Sequence, residues 1–275
     1  MATSQRSQEP QRPKKGLTQE QQNNPYMSMF NHFRDELDEH HDRRERVIKA
    51  SRDITALSKK MIFTLQRARD PFSPLPASLN KEYEMRFKQI QEIISCVSPD
   101  LQDISTYRYA RQITGGIQEY TEAIAFHYYL ATGKLIPLSA VQESVKSLIE
   151  ITPGDYILGI FDLVGEMMRF SITMIATRGD ADKDEKVAKA LRDLRELRLE
   201  FEGLDTSTTL GGESGLLGKE VHKKLGVMKT CVEKVEAAVC GVIVRGSERP
   251  KGWIPDLTGA TGGGGGTMDR VDEGE

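Results

Sequence analysis

From Tyr26 to Arg69 neither glycine nor proline interrupts the chain. Phe33, Leu37, Val47, Ile48, Ile54, Met61, Ile62 and Leu65 recur there within one broad face at 3.6 residues per turn, the pattern of a long amphipathic helix. Pro71, Pro74 and Pro76 end it, since proline removes a helical donor and clashes with the preceding turn. A second helix is predicted over about 78–97, and Ser98-Pro99-Asp100 opens a third that reaches Ala131 before Gly133 stops it. A short fourth helix follows over about 139–150. Thr152-Pro153 forms an N-cap and first-turn pair for a fifth, to about Thr177. A charged sixth helix covers about 182–202, and the Gly/Thr/Ser stretch 203–218 reads as a loop. The last helix, about 219–244, carries Val221, Leu225, Met228, Val232, Val235, Val239 and Val242 at alternating steps of four and three, a seam for a neighbouring helix. No segment alternates in the manner of a strand. The expected fold is all-α, a bundle of about seven helices.

Composition narrows this picture in a few respects. The Gln/Asn/Pro-rich residues 1–25 and the glycine-rich residues 246–275 have little to bury and read as disordered tails, leaving one helical domain over 26–245. No apolar run approaches the roughly 18 residues of a membrane span, and no apolar leader segment opens the chain. Cys96, Cys231 and Cys240 are an odd number without a CxxC pair, which disfavours a disulfide framework or a zinc knuckle. Cys231 and Cys240 fall on an apolar helical pattern and are expected in the core. A net charge of −3 does not announce a nucleic-acid binder, although a local basic patch can hide behind acidic tails.

The chemistry lies in two helices that are apolar except along one narrow stripe. In the fifth, Ile157, Leu158, Ile160, Phe161, Leu163, Val164, Met167, Met168 and Phe170 cover most of the circumference, yet Asp155, Gly159, Asp162, Glu166 and Arg169 line up at steps of three and four. In the third, Arg108, Arg111, Gly115, Glu119 and Glu122 do the same beside Ile117, Ile124 and Phe126. Asp162/Glu166 and Glu119/Glu122 are like-charge pairs one turn apart, which is locally destabilising, and burying them costs several kcal/mol on the order of an ion-desolvation penalty. Gly115, Gly116, Gly159 and Gly165 weaken these helices by roughly 1 kcal/mol each and point to close approach of another backbone or a ligand. If the stripes face each other, four carboxylates converge. Carboxylates and water suit a hard divalent ion such as Mg²⁺, which lowers the pKa of bound water and offsets charge on a phosphoryl oxygen. Arg108, Arg111 and Arg169 could then hold phosphates.

Other readings of the same residues stay open. Paired carboxylates also occur as solvated faces or in salt bridges, and Arg169 lies three residues after Glu166. A di-iron bundle would need Glu-x-x-His motifs, and none of the five histidines has a Glu three residues before it. A metal-free histidine nuclease would have only His40, His41 and His127 to draw on. Arg46, Lys49, Arg52, Lys59 and Lys60 occupy the polar side of the first helix, interleaved with acids as an ordinary solvated face would be. Tyr107, Arg108, Tyr109 and Arg111 alternate aromatic and cationic groups, a combination that grips single strands by stacking and phosphate contact, though the tyrosines would serve equally in packing.

Over about residues 30–250 the chain resembles the translin family, and within it the X-type subunit that partners translin. The resemblance rests on Glu36-Leu37-Asp38 with His41-Asp42, Ser51-Arg52-Asp53-Ile54-Thr55, Gly116-Ile117-Gln118-Glu119-Tyr120 followed by Glu122-Ala123, Thr152-Pro153 with Asp155-Tyr156, Asp162-Leu163 with Gly165-Glu166, and Val244-Arg245-Gly246-Ser247-Glu248 with Pro250. It implies a seven-helix bundle that joins translin in a closed hetero-octamer around a cavity for RNA. It further implies that the X-type subunit is the catalytic one, an Mg²⁺-dependent endoribonuclease acting on single-stranded RNA such as RNA-silencing passenger strands and transfer-RNA fragments. Carried over, Glu122 and Glu166 are the metal ligands, and Glu119 and Asp162 complete the acidic site. The resemblance also implies binding of single-stranded DNA and residence in cytoplasm and nucleus, although the basic cluster Arg12, Lys14, Lys15 is thin. The alternative is a non-catalytic subunit that stabilises translin and binds single-stranded nucleic acid.

Overall fold

A computed structural model describes residues 26–178, 184–204 and 214–245. Among these there are seven α-helices and no strand: α1 (Met27–Leu65), α2 (Ala77–Val97), α3 (Ile104–Thr132), α4 (Leu138–Ser144), α5 (Pro153–Arg178), α6 (Glu185–Glu202) and α7 (Ser214–Arg245). No described helix is long and apolar enough to cross a membrane. Residues 1–25 and 246–275, read as tails from their composition, lie outside the described residues, as does most of the loop expected over 203–218.

The chain divides into two compact units, Met1–Glu45 and Arg46–Glu275. In the first, the described residues form only the opening turns of α1. Phe33 and Leu37, expected on a buried face, are exposed together with Met29 and Phe30, because no second described element of this unit packs on them. Phe30 and Phe33 meet edge to face, and Arg43 pairs with Glu39 one turn away.

The second unit holds the core. Val47, Ile54, Met61 and Leu65 of α1, Ile90 and Ile94 of α2, Ile117 and Phe126 of α3, Ile160, Leu163 and Met167 of α5, Leu194 of α6, and Val232 and Val235 of α7 are all buried. α5 packs against α3, α6 and α7, as a helix apolar on nearly every side must. The seam on α7 is buried at Val221, Met228, Val232 and Val235 and half-buried at Leu225, Val239 and Val242. Cys231 lies in the core, but Cys240 is exposed, contrary to expectation, because it falls off this seam.

Several boundaries shift for local reasons. Ser98–Leu101 forms a separate 3-10 turn, and α3 begins only after Asp103, whose φ is 52°. α4 stops at Ser144 rather than near residue 150. The Gln142 amide takes over the helix's role by donating to Ile149 O (2.8 Å) and accepting from Ile151 N (2.9 Å), and Lys146 and Ser147 adopt positive φ. The expected cap of α5 is present: Asp155 N donates to Thr152 Oγ1 (3.1 Å), and Thr152 Oγ1 donates to Asp155 Oδ2 (2.8 Å).

Two glycines set the helix spacing. A Cβ on Gly116 would stand 2.8 Å from Ser51 O, and one on Gly159 would stand 2.9 Å from both Gln118 O and Thr121 Cβ. Hence α1 and α3 touch at Ser51/Gly116, and α3 and α5 at Thr121/Gly159. Gly115, the immediate neighbour, faces open space. Gly116→Ala is therefore expected to cost about 1–3 kcal/mol by overpacking, while Gly115→Ala gains up to ~1 kcal/mol of helix propensity. Thermal unfolding checks this pair, each kcal/mol moving Tm by about 2–4 °C in a domain of this size. Shifts of the same sign in both variants would contradict the crossing.

Candidate acidic site

Once α3 and α5 approach through Gly159, their stripes are aligned. Glu119 and Glu122 come from α3, and Asp162 and Glu166 from α5. All four line one cavity of about 790 Å³, together with Lys59 and Phe63 of α1, Gln66 in the turn that ends it, Gly165 and Arg169 of α5, and Val227, Met228 and Cys231 of α7. Gly165 has nothing within 4 Å of where its Cβ would be, so its small size keeps the cavity open rather than serving a helix contact.

Glu122 is the most enclosed of the four, at 7 % exposure. Its carboxyl is pushed up to about 9, first by burial and then by the negative charges of Asp162, Glu119 and Glu166, with Lys224 acting the other way. Among the described residues it makes no hydrogen bond or ion pair. The other three acids are compensated. Glu166 receives two bonds from Arg169 (2.8 and 3.0 Å). Gln66 Nε2 donates both to Glu166 Oε2 (2.8 Å) and to its backbone carbonyl (2.9 Å), tying α1 to α5. Lys59 pairs with Glu119 at 3.1 Å. Lys224 of α7 donates to both Asp162 oxygens and reaches towards Leu158 O.

The arginines and tyrosines proposed for strand binding divide. Arg169 lines the acidic cavity. Tyr107 and Arg111 line a different cavity of about 690 Å³ with Gln118, Glu150, Thr152 and Asp155. Arg111 lies eight residues before Glu119, about 12 Å along the helix axis at 1.5 Å per residue, and Arg108 is exposed still further back. Tyr107 is 82 % exposed, but Tyr109 is only 3 % exposed. Tyr109 therefore cannot stack on a base; its ring belongs to the core, two residues of helix having turned it away from Tyr107. Asp155, aligned with the acidic stripe in sequence, is tied to the Thr152 cap of α5 and accepts from Thr152, Thr114 and Gln118. His127 stacks on Tyr83 at 4.1 Å and burial holds its pKa below the usual value; it does not line the acidic cavity.

Gln66, Phe63 and Lys224 were not singled out by sequence reasoning. Phe63 was the detectable one, an aromatic off the apolar face of α1. Lys224, three residues after Val221 and four before Met228, is a cation among seam residues.

A sequence model of the Translin family matches residues 42–246. The chain is 32 % identical over 257 residues to Translin-associated protein X of Mus musculus, covering 85 % of this chain and 83 % of that protein. The chain belongs to the Translin family. It is also 32 % identical over 222 residues to the Translin-associated protein X homolog of Schizosaccharomyces pombe, covering 80 % of this chain and 89 % of that one. The fold matches solved structures at lower identity. Apo-NeC3PO aligns with a TM-score of 0.57 and 18 % identity over 77 % of this chain and 95 % of its own. A chain of an AfC3PO–duplex RNA complex aligns with a TM-score of 0.55 and 20 % identity over 80 % of this chain and 100 % of its own. These neighbours are all-α Translin-type bundles, as this chain is.

Burial of Glu122 has a pH signature. The folded state keeps a proton that the unfolded chain, with an ordinary glutamate pKa, releases. Between about pH 4.5 and about 9 the unfolded state binds fewer protons, so stability falls as pH rises. Glu122→Gln removes this loss. Its Tm is expected to match wild type near pH 4.5 and to exceed it by at least about 2–4 °C at pH 8, the shift of ~1 kcal/mol in a domain of this size. A pH-independent difference between the two proteins would exclude Glu122 as the buried acid.

Proposed function

We propose that this Translin-family chain is the catalytic subunit of an Mg²⁺-dependent endoribonuclease acting on single-stranded RNA, in a hetero-oligomer with a translin subunit. The observation that carries this reading is Glu122, a buried carboxyl with no hydrogen-bond partner among the described residues, facing three more carboxylates across one open cavity. A divalent cation relieves that arrangement, and an all-oxygen donor set suits Mg²⁺ rather than a softer metal. Among the described residues no three acidic, His or Cys side chains stand ready-made in a metal-ligating group; Asp162, Glu166 and Glu119 are instead engaged by Lys224, Arg169 and Lys59 in ion pairs. The donors fit the ion; their present partners must yield to it.

Glu122 and Glu166 would hold the ion, with Glu119 and Asp162 completing the acidic lining. When bound, the ion supplies a water of lowered pKa and offsets charge on a phosphoryl oxygen. Gln66 keeps Glu166 directed at the cavity through its two hydrogen bonds. Arg169, largely exposed on its side of the pair with Glu166, would exchange that carboxylate for a phosphate, which its guanidinium also binds by charge-assisted hydrogen bonds. RNA as ligand is supported by the AfC3PO relative, which is described with duplex RNA. Exposed Met29, Phe30, Phe33 and Leu37 on α1 support a partner subunit, since contiguous exposed apolar surface marks interfaces.

The rival reading, a binding scaffold whose acids serve only in ion pairs, draws on those same lysine and arginine contacts. One experiment separates the two. In the co-purified complex, Glu122→Gln and Glu166→Gln are expected to retain assembly and RNA binding in EDTA. Each is expected to lose at least about 100-fold in Mg²⁺-dependent cleavage, since even residues behind metal ligands cost 10–100-fold. Cleavage of labelled single-stranded RNA at the wild-type rate by either variant would refute the metal assignment.

A further inference from the structure

Phe63 is the one large residue of the acidic cavity whose placement neither core packing nor the chemistry above explains. It lines the cavity with Glu119, Glu122 and Glu166, yet it is 71 % exposed and stands off the buried face of α1. An aromatic ring left in water forfeits much of the 1.5–3 kcal/mol that burial of such a side chain contributes. Its neighbours are Lys59, one turn earlier on the same helix face, and Gln66, in the turn just past the helix end, and both reach cavity carboxylates. Val227 of α7, also exposed, lines the same cavity. An apolar lip therefore borders an acidic floor, with the Lys59 and Arg169 cations beside it.

We infer that Phe63 is a nucleobase-stacking residue that places a base of the RNA strand against the lip while the adjoining phosphate lies over the carboxylates. This rests on the hydrolytic reading for its substrate class, but the stacking contact itself needs no cleavage. A sugar–phosphate strand is amphipathic in the sense the cavity requires: each nucleotide couples an apolar π-face to an anion. The cations Lys59 and Arg169 suit the anion and the ring suits the base. An acidic floor alone would repel the strand. Stacking is indifferent to base identity, because every base offers a π-face, and it requires a base free of its own stack. Phe63 thereby gives the site a preference for unpaired RNA without sequence readout, and makes α1 the element that selects the strand form.

The test uses the complex of the full chain with its translin subunit, in EDTA, and RNA oligomers carrying 2-aminopurine or an abasic residue at successive positions. Wild type is expected to quench 2-aminopurine at one position adjoining the cut. Phe63→Ala is expected to lose that quench and to bind roughly 5- to 150-fold more weakly, the span of base–aromatic stacking on alanine substitution, whereas Phe63→Trp retains both. An abasic residue at the quenched position should weaken wild type by a comparable factor and leave Phe63→Ala unchanged. Equal sensitivity of both proteins to the abasic site overturns the proposal. Loss of subunit assembly in Phe63→Ala, read by sedimentation, also overturns it by making the ring a protein contact. A wild-type complex that shows the quench and the abasic coupling but cuts no RNA in any divalent ion would defeat the hydrolytic reading and leave the stacking assignment standing.

Discussion

The crossing of α3 and α5 at Thr121 and Gly159 determines the chemistry of this molecule. With a side chain at position 159, a Cβ would meet Gln118 O and Thr121 Cβ at 2.9 Å, and the helices would have to separate. Because they do not, Glu119 and Glu122 lie beside Asp162 and Glu166 at the margin of that contact and share one cavity. A second glycine contact, Gly116 on Ser51, brings α1 against α3 and delivers Lys59, Phe63 and Gln66 to the same place. The acidic cluster is thus a consequence of where three helices touch. Electrostatics would have driven it apart, so packing energy in the surrounding apolar layers must hold it together.

That energy is available because α5 is apolar on nearly every side. Leu158, Ile160, Phe161, Leu163, Val164 and Met167 are buried against its neighbours. At roughly 1.5–3 kcal/mol for each large side chain, their burial exceeds the cost of crowding two carboxylate pairs. What remains unfavourable is concentrated on Glu122, the one of the four acids with neither an ion pair nor a hydrogen bond among the described residues. A protein under selection for stability alone would place a neutral residue there, as functional sites generally depart from local consistency.

Most of this was legible in the sequence, because helical periodicity reports which face a residue occupies. The alignment of the four carboxylates into two stripes and the capping role of Thr152 followed from spacing; their assignment to one site came from the family resemblance. The stripe also misled in places. Asp155 falls on the acidic line but belongs to the helix cap, and Arg111 and Arg108 share the line yet sit about two and three turns before Glu119, towards the start of α3. Periodicity gives the angle around an axis, not which neighbour covers each turn. For the same reason Tyr107 and Tyr109, adjacent in composition and alternate in sequence, separate into surface and core. Phe33 and Leu37 continue the apolar face of α1 into turns that no described element of their unit covers. The cations contributed by α7 and α1, which depend on helix–helix register, could not be read without coordinates.

The ion pairs around the cavity are unequal in a way that bears on how it would work. In the pairs of Glu119 with Lys59 and of Glu166 with Arg169, the carboxylate is the sheltered partner. Lys59 is 63 % and Arg169 65 % exposed, against 25 % and 13 % for their acids. An exposed cation contributes little to such a pair, about 0–1 kcal/mol, and is withdrawn at small cost. The pair of Asp162 with Lys224 is reversed, the lysine being the more sheltered member at 21 %. Withdrawing it would strand a partly buried ammonium among apolar seam residues, a costly state. The two kinds of pair should therefore respond differently to a divalent ion and a phosphate. On the proposed reading Lys59 and Arg169 would exchange onto the strand, leaving Glu119 and Glu166 to the ion, while Lys224 would stay on Asp162 as a fixed positive charge. In the proposed reaction, Asp162 then acts with its lysine as a near-neutral wall of the site, and the negative charge available to the ion resides in Glu119 and Glu166 once their cations exchange, Glu122 being kept protonated by its burial.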